Sequence, residues 1–214
     1  MFDVSRTIRR FGLGSVVAFC ALLAWAPCAS AQASEPSPFV KTGKLSLAGR
    51  EVPYRIRNLP VSSFPDLPNP IAEALNDRGC LIPQTYEAKR PENVIHGSLE
   101  RAGSQDWAVL CASKGKVSLL VFFASSSPAQ PEVLAAANET DRLQIHDLSG
   151  ELGFNWGIDP ASPARIHDAE AGMTHRSPLP DHDCLADTII DHRTVYHLYR
   201  NGAWEKVDIQ SSSY

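Results

Sequence analysis

Val195-Tyr196-His197-Leu198-Tyr199-Arg200-Asn201-Gly202-Ala203-Trp204-Glu205-Lys206-Val207 contains two β-rich runs separated by Asn-Gly. That dipeptide accepts the left-handed backbone of a type I′ turn, so the stretch predicts a two-residue hairpin with Tyr199 opposite Trp204. Upstream, Trp107 to Leu110 and Val117 to Phe123 flank Lys114-Gly115, another turn signal. The run Val117-Ser118-Leu119-Leu120-Val121-Phe122-Phe123 does not alternate with polar residues, which predicts a strand covered on both faces at the centre of a sheet. Val94-Ile95 is a shorter β-rich run, and Leu45, Leu47, Val52, Tyr54 and Ile56 alternate around Ala48-Gly49-Arg50 as a first hairpin.

Between these runs the punctuation changes. Pro60, Pro65, Pro68 and Pro70 predict an ordered, turn-rich crossing from Asn58 to Pro70. A short helix then follows, with Asn69 as cap, Pro70 in its first turn, Ile71, Ala74 and Leu75 on one face, and Gly79 as its left-handed stop. Ser125 to Pro131 breaks the pattern, Glu132 to Ala137 reads as a short helical turn, and Leu143 to Ile145 reads as a strand. Ser162-Pro163 starts a second capped helix through Ile166, His167 and Ala169 up to Gly172. The expected fold is a β-rich α+β domain with an antiparallel sheet and two short helices.

The first 31 residues read as a cleavable secretion signal: Arg6, Arg9 and Arg10, the apolar run Phe11 to Ala26, then Ala29-Ser30-Ala31. Cleavage after Ala31 or Ala33 satisfies the small-x-small rule equally. The apolar run is short against the ~20 residues that span a bilayer, so no stable membrane anchor is expected after cleavage. Trp25-Ala26-Pro27 before Cys28 departs from a lipoprotein signal, and the residues after Arg9-Arg10 depart from a twin-arginine one. A flexible tail over residues 32–40 and one globular domain over residues 41–214 would remain, in a periplasmic or extracellular location.

Losing Arg6, Arg9, Arg10 and Asp3 from 20 basic and 24 acidic residues moves the net charge from −4 to −6. Such a surface repels phosphate backbones, which excludes nucleic acid as an expected partner. Cleavage also removes Cys20 and Cys28, leaving Cys80, Cys111 and Cys184 in a compartment where disulfides persist. Connectivity is not readable from spacing, and Cys80 with Cys111, each beside a strand-like run, is one candidate bridge. Cys184 is then a nucleophilic thiol or a buried inert sulfur.

The densest polar cluster is Asp181-His182-Asp183, Asp187 and Asp191-His192. Asp181, Asp183 and Asp187 are candidate ligands for Ca²⁺, a hard cation that collects oxygen donors. An EF-hand loop needs Gly where Ala186 stands and Glu where His192 stands, so a solvated acidic turn competes with that reading. His175, His182 and His192 match no zinc spacing. Gly-x-Ser-x-Gly and Gly-rich phosphate loops are missing, and no cofactor is expected. His96 could pair with Asp106 and a serine in a triad. Trp107 and Trp204 stand beside turns, where a face for sugar or peptide can form. Histidines in half-buried strands, such as His197, are more often packing residues.

Gly79-Cys80-Leu81-Ile82-Pro83-Gln84, Asn93-Val94-Ile95-His96-Gly97, Asp106-Trp107-Ala108-Val109-Leu110-Cys111, Asp181-His182-Asp183 and Tyr199 to Trp204 resemble the motifs of a family of secreted bacterial proteins with no established activity. The resemblance runs from about Leu59 onward and implies a Cys80 to Cys111 bridge. In that family Gly follows Asp-His-Asp, whereas this chain has Cys184 there. Gly97 to Cys111 also resembles a single blade of integrin-like propellers. The leading functional expectation is a non-enzymatic binding or accessory domain for a protein, peptide or sugar. The alternative is a secreted hydrolase using His96 or the Asp181 to His192 cluster.

Overall fold

A computed structural model of the chain describes residues 39–126, 130–171, 178 and 180–210. The expected signal segment, most of the tail and His175 lie outside the described residues. In chain order the elements are β1 (Val40–Leu47), β2 (Arg50–Pro60), α1 (Asn69–Asp77), β3 (Leu81–Gln84), β4 (Val94–Gly97), β5 (Asp106–Ser113), β6 (Lys116–Phe122) and β7 (Glu132–Asn138). They continue with β8 (Leu143–Ile145), β9 (Leu152–Phe154), β10 (Trp156–Ala161), α2 (Pro163–Ala169), β11 (Cys184–Ile189), β12 (Arg193–Arg200) and β13 (Ala203–Gln210).

The strands form two sheets rather than one. Nine strands follow the order β7-β6-β5-β3-β2-β9-β8, with β1 added on β2 and β4 on β5, while β10-β11-β12-β13 make a second sheet of four. Every pairing is antiparallel except β2 with β9. Three hairpins turn on two residues of positive φ: Ala48-Gly49, Lys114-Gly115 and Asn201-Gly202. Tyr199 pairs with Trp204 as the Asn-Gly turn requires.

Alternation along β5 and β6 explains the layering. Ala108, Leu110, Val117, Leu119 and Val121 point to one face, where they meet Trp156, Ile158 and Leu185 of the four-stranded sheet. Val109, Cys111, Leu120 and Phe122 point to the other, against Ile71, Ala74 and Leu75 of α1. The far face of the smaller sheet buries Cys184, Ala186, Tyr196 and Leu198 under Ile166 of α2. The order is therefore helix, nine-stranded sheet, four-stranded sheet, helix. The unalternating Val117 to Phe123 run is central because each of its faces has its own core.

Helix α1 begins one step earlier than its cap signal: Pro68 occupies the cap, its carbonyl accepts from Ile71 and Ala72, and the Asn69 side chain caps nothing. Its end follows the sequence reading. Gly79, at φ +67°, donates to Asn76 O and Cys80 donates to Leu75 O, the paired bonds of a Schellman stop. The turned chain is then held by a buried Cys80–Cys111 disulfide to β5. Helix α2 starts with Ser162 Oγ accepting from Arg165 N at 3.3 Å and ends at Ala169, short of Gly172.

Two segments differ from expectation. Asn58 to Pro60 is not yet a crossing but the end of β2, paired with Leu81 to Pro83, and Pro60 is tolerated because it closes the strand. Glu132 to Ala137 is strand β7, not a helical turn. Its Ala and Glu favour helix by only a few tenths of a kcal/mol per residue. Pairing with the buried strand β6 outweighs that, and a bulge opposite Leu119 and Leu120 turns Ala135 and Ala137 inward.

Replacing Cys80 and Cys111 together by Ala should lower the unfolding free energy by about 3.7 kcal/mol, the chain-entropy value for a separation of 31 residues. Urea titration of the oxidised protein and the double variant measures the difference.

Candidate functional site

The three candidate metal ligands diverge. Asp181 Oδ1 lies 2.7 Å from His182 Nδ1, and that hydrogen bond holds the exposed Asp181 carboxyl below its ordinary range. Asp183 Oδ2 accepts from Ser98 N at 3.1 Å, and Asp183 N donates to Ser98 O at 3.0 Å, so this residue pins the loop after β4. Asp187 is not in a loop at all but inside β11, where it faces the inter-sheet core. Among the described residues no group of three or more His, Cys, Asp or Glu is placed to hold a metal ion. His182 and His192 sit beyond opposite ends of β11.

The triad reading is contradicted by strand parity. His96 pairs with Trp107 and Gly97 with Asp106, so His96 lies on the α1 side of the sheet and Asp106 on the other. His96 packs on the Trp107 ring at 4.8 Å between centroids. Asp106 is fully buried and accepts from Glu100 N (2.8 Å), Ala124 N (2.8 Å) and the Ser104 hydroxyl. It organises two loops and has no face left for a histidine. Trp107 and Trp204 likewise belong to different cores and share no binding face. The Gly97 to Cys111 segment is a β4–β5 hairpin of the large sheet, not a propeller blade.

A polar network that spacing did not reveal runs between the sheets. Asp187 Oδ1 accepts from Trp156 Nε1 at 2.6 Å and Oδ2 from His197 Nε2 at 3.1 Å. The Arg142 guanidinium lies 4.5 Å above the Trp156 ring, and its burial pushes the pKa below the ordinary arginine value although the nearby Asp187 charge opposes this. The register pairs Asp187 with Val195 and Leu185 with His197, which makes Asp187 and His197 diagonal neighbours on one face. The alternation Leu185, Asp187, Ile189 before the Asp191-His192 turn was the available signal, had β11 been recognised as the first strand of a hairpin.

An open cleft of about 550 Å³ lies where the crossing after β3 meets β10 and the turn from β11 to β12. Its frame is rigid. Asn93, buried and at φ +69°, donates to Pro83 O (2.6 Å) and Trp156 O (3.2 Å) and accepts from Ile158 N (3.1 Å). Glu92 accepts from Thr85 N at 2.8 Å, and Gln84 exchanges two bonds with the Glu92 backbone. Tyr86 stacks on His146 at 4.8 Å and donates its hydroxyl to Asp191 Oδ2 at 2.8 Å. That stack passes over Gly153, where a Cβ would approach Tyr86 Cβ to 2.6 Å. Within this frame Glu87, Lys89, Arg90 and Asp159 present charged ends. Desolvation raises the Asp159 carboxyl above its ordinary value, only partly countered by Arg165.

Cys184 is 0% exposed under α2, and burial, reinforced by the neighbouring Asp183 charge, pushes its thiol up to about 12. It is an inert core sulfur rather than a nucleophile. Iodoacetamide at pH 8 should leave Cys184 unmodified in the folded protein and alkylate it fully in guanidinium, as peptide mass mapping will read.

No protein-family model matches the chain, and neither a curated protein nor a solved structure shows significant similarity to it.

Proposed function

We propose that this is a non-enzymatic periplasmic or extracellular binding domain whose ligand sits in the cleft framed by Asn93, β10 and the Asp191 turn. The observation that carries the reading is the contrast between frame and lining. Asn93, Gln84 and Glu92 are consumed by internal hydrogen bonds, while Lys89, Arg90 and Asp159 stand at the opening. Such a cleft is preformed and loses little entropy on binding. Cations and carboxylates side by side suit a peptide or sugar with several polar groups, and the net negative chain disfavours nucleic acid. The Cys80–Cys111 bridge and the resemblance to secreted bacterial proteins support an oxidising location.

A second reading, a secreted hydrolase, draws on the Asp187–His197 pair, since a carboxylate that orients an imidazole is the arrangement a general base needs. The two readings separate experimentally. Thermal shifts against a panel of short zwitterionic peptides and oligosaccharides should identify a stabilising ligand whose effect is lost in Arg90→Ala. Turnover of an ester, glycoside or peptide substrate that disappears in His197→Ala would instead make the protein an enzyme.

The cleft also has a pH signature. A carboxyl with a raised folded-state pKa favours the native state when protonated, and that stability fades as pH rises from the ordinary value of 3.8 through the folded value. Asp159→Asn should therefore raise the melting temperature at pH 7 and leave it unchanged at pH 3.

A further inference from the structure

Strand β1 ends the large sheet with an open edge. Among the described residues it pairs with β2 alone, in unbroken register from Val40 opposite Arg57 to Leu47 opposite Arg50. Asn58 N donates to Phe39 O at 2.7 Å, so Phe39 and Asn58 form a hydrogen-bonded pair, and the alternation of an antiparallel ladder turns the backbone groups of Lys41, Gly43, Leu45 and Leu47 toward β2. The N–H and C=O groups of Val40, Thr42, Lys44 and Ser46 therefore point away from the sheet. Other edges are short or guarded. β4 and β8 have four and three residues, β7 carries a bulge, and β13 sets Glu205, Lys206 and Asp208 along its length. On β10 the Asn93 side chain already bonds Trp156 O and Ile158 N, and Pro160 has no N–H to give. β1 has eight residues, no proline and no bulge.

The side chains along this edge are laid out about its centre. Phe39, Lys41, Gly43, Leu45 and Leu47 share the inner face, where Lys41 reaches Glu139 and the Tyr54 ring covers Gly43 so closely that a Cβ there would meet it at 2.6 Å. Phe39 and Leu47, at the two ends, stay 37% and 42% exposed. A second copy laid antiparallel with Gly43 against Gly43 sets Phe39 against Leu47, Lys41 against Leu45, Val40 against Ser46 and Thr42 against Lys44. Every outward N–H and C=O of β1 is then paired, both exposed apolar ends are covered, and no two lysines stand directly opposite. Neighbouring registers do worse. Centring on Lys44 sets that cation against itself, and centring on Leu45 runs Val40 and Thr42 past the Ala48-Gly49 turn of the other copy.

We propose that β1 is the surface by which two copies of this chain associate, their β1 strands pairing antiparallel about Gly43 to make one continuous sheet across the dimer. Backbone hydrogen bonds along the edge fix the register, and a Phe39 to Leu47 contact closes each end of the seam. β1 contributes no residue to the polar cleft, so either proposal can fail without the other.

Sedimentation velocity of the purified full chain should show a monomer converting to a dimer over the micromolar range. Thr42→Pro removes an N–H that points away from β2 and so spares the ladder within one chain. It should weaken the dimer at least tenfold and leave the melting temperature of the dilute protein unchanged. If that variant does not fold, Leu45→Lys decides, because it sets a second cation against Lys41 of the other copy. Amide exchange reads the register: concentrating the protein should slow exchange at Val40, Thr42, Lys44 and Ser46 and leave Lys41, Gly43 and Leu45, already bonded to β2, as they were. A chain that stays monomeric, a dimer that these substitutions leave intact, or new protection on a different edge strand would overturn the proposal.

Discussion

The double-sided burial of the β5–β6 hairpin is the constraint from which the rest of the structure follows. Its side chains are apolar in both directions, so neither face can be left to water, and one sheet cannot supply two covers. Helix α1 covers one face and the four-stranded sheet the other. The Cys80–Cys111 disulfide fastens the first cover where the chain leaves α1 and runs into β3, beside β5. The second cover in turn exposes a new apolar face, which α2 closes.

Polar groups inside such layers are tolerated only where their bonding is complete, because an uncompensated buried charge costs several kcal/mol. Asp106 meets the condition with three donors and Asp187 with two. Both carboxylates look catalytic in one dimension and act as joints in three: Asp106 ties the loop after β4 to the end of β6, and Asp187 ties β10 to β12. His197 meets the condition at one nitrogen only.

Legibility tracked how local the cause was. The three two-residue turns, the central strand and the Gly79 stop depend on neighbours a few residues apart and were readable from the sequence. Strand β7 was not, because its Ala-rich composition favours helix and only pairing with β6 decides otherwise. Strand β11 was hidden by its own acidic cluster: Asp187 reads as a loop residue until Trp156 and His197 are known to meet it. The polar cleft was invisible for the same reason, since Asn93 frames it through Trp156 and Ile158, more than sixty residues away. Cys80 and Cys111 were legible as candidates, but their pairing rests on β5 lying beside the exit of α1.

The mismatch between the sheets explains where surface remains for function. Four strands cannot cover the inner face of nine, so the extremities of that face meet different fates. At one, the β1–β2 and β8–β9 turns leave Leu47, Ile145 and the fully exposed Leu148 (108%) in water, with no polar partner among them to orient a ligand. At the other, the β7–β13 edge is closed by Trp204, packed on Phe123 and Tyr199 and hydrogen-bonded to Glu132. An uncovered apolar face by itself offers only nonspecific adhesion, whereas a face that ends on a fixed donor–acceptor pair can distinguish one molecule from another. The β7–β13 edge offers neither, because its aromatic side chains are spent on joining the two sheets.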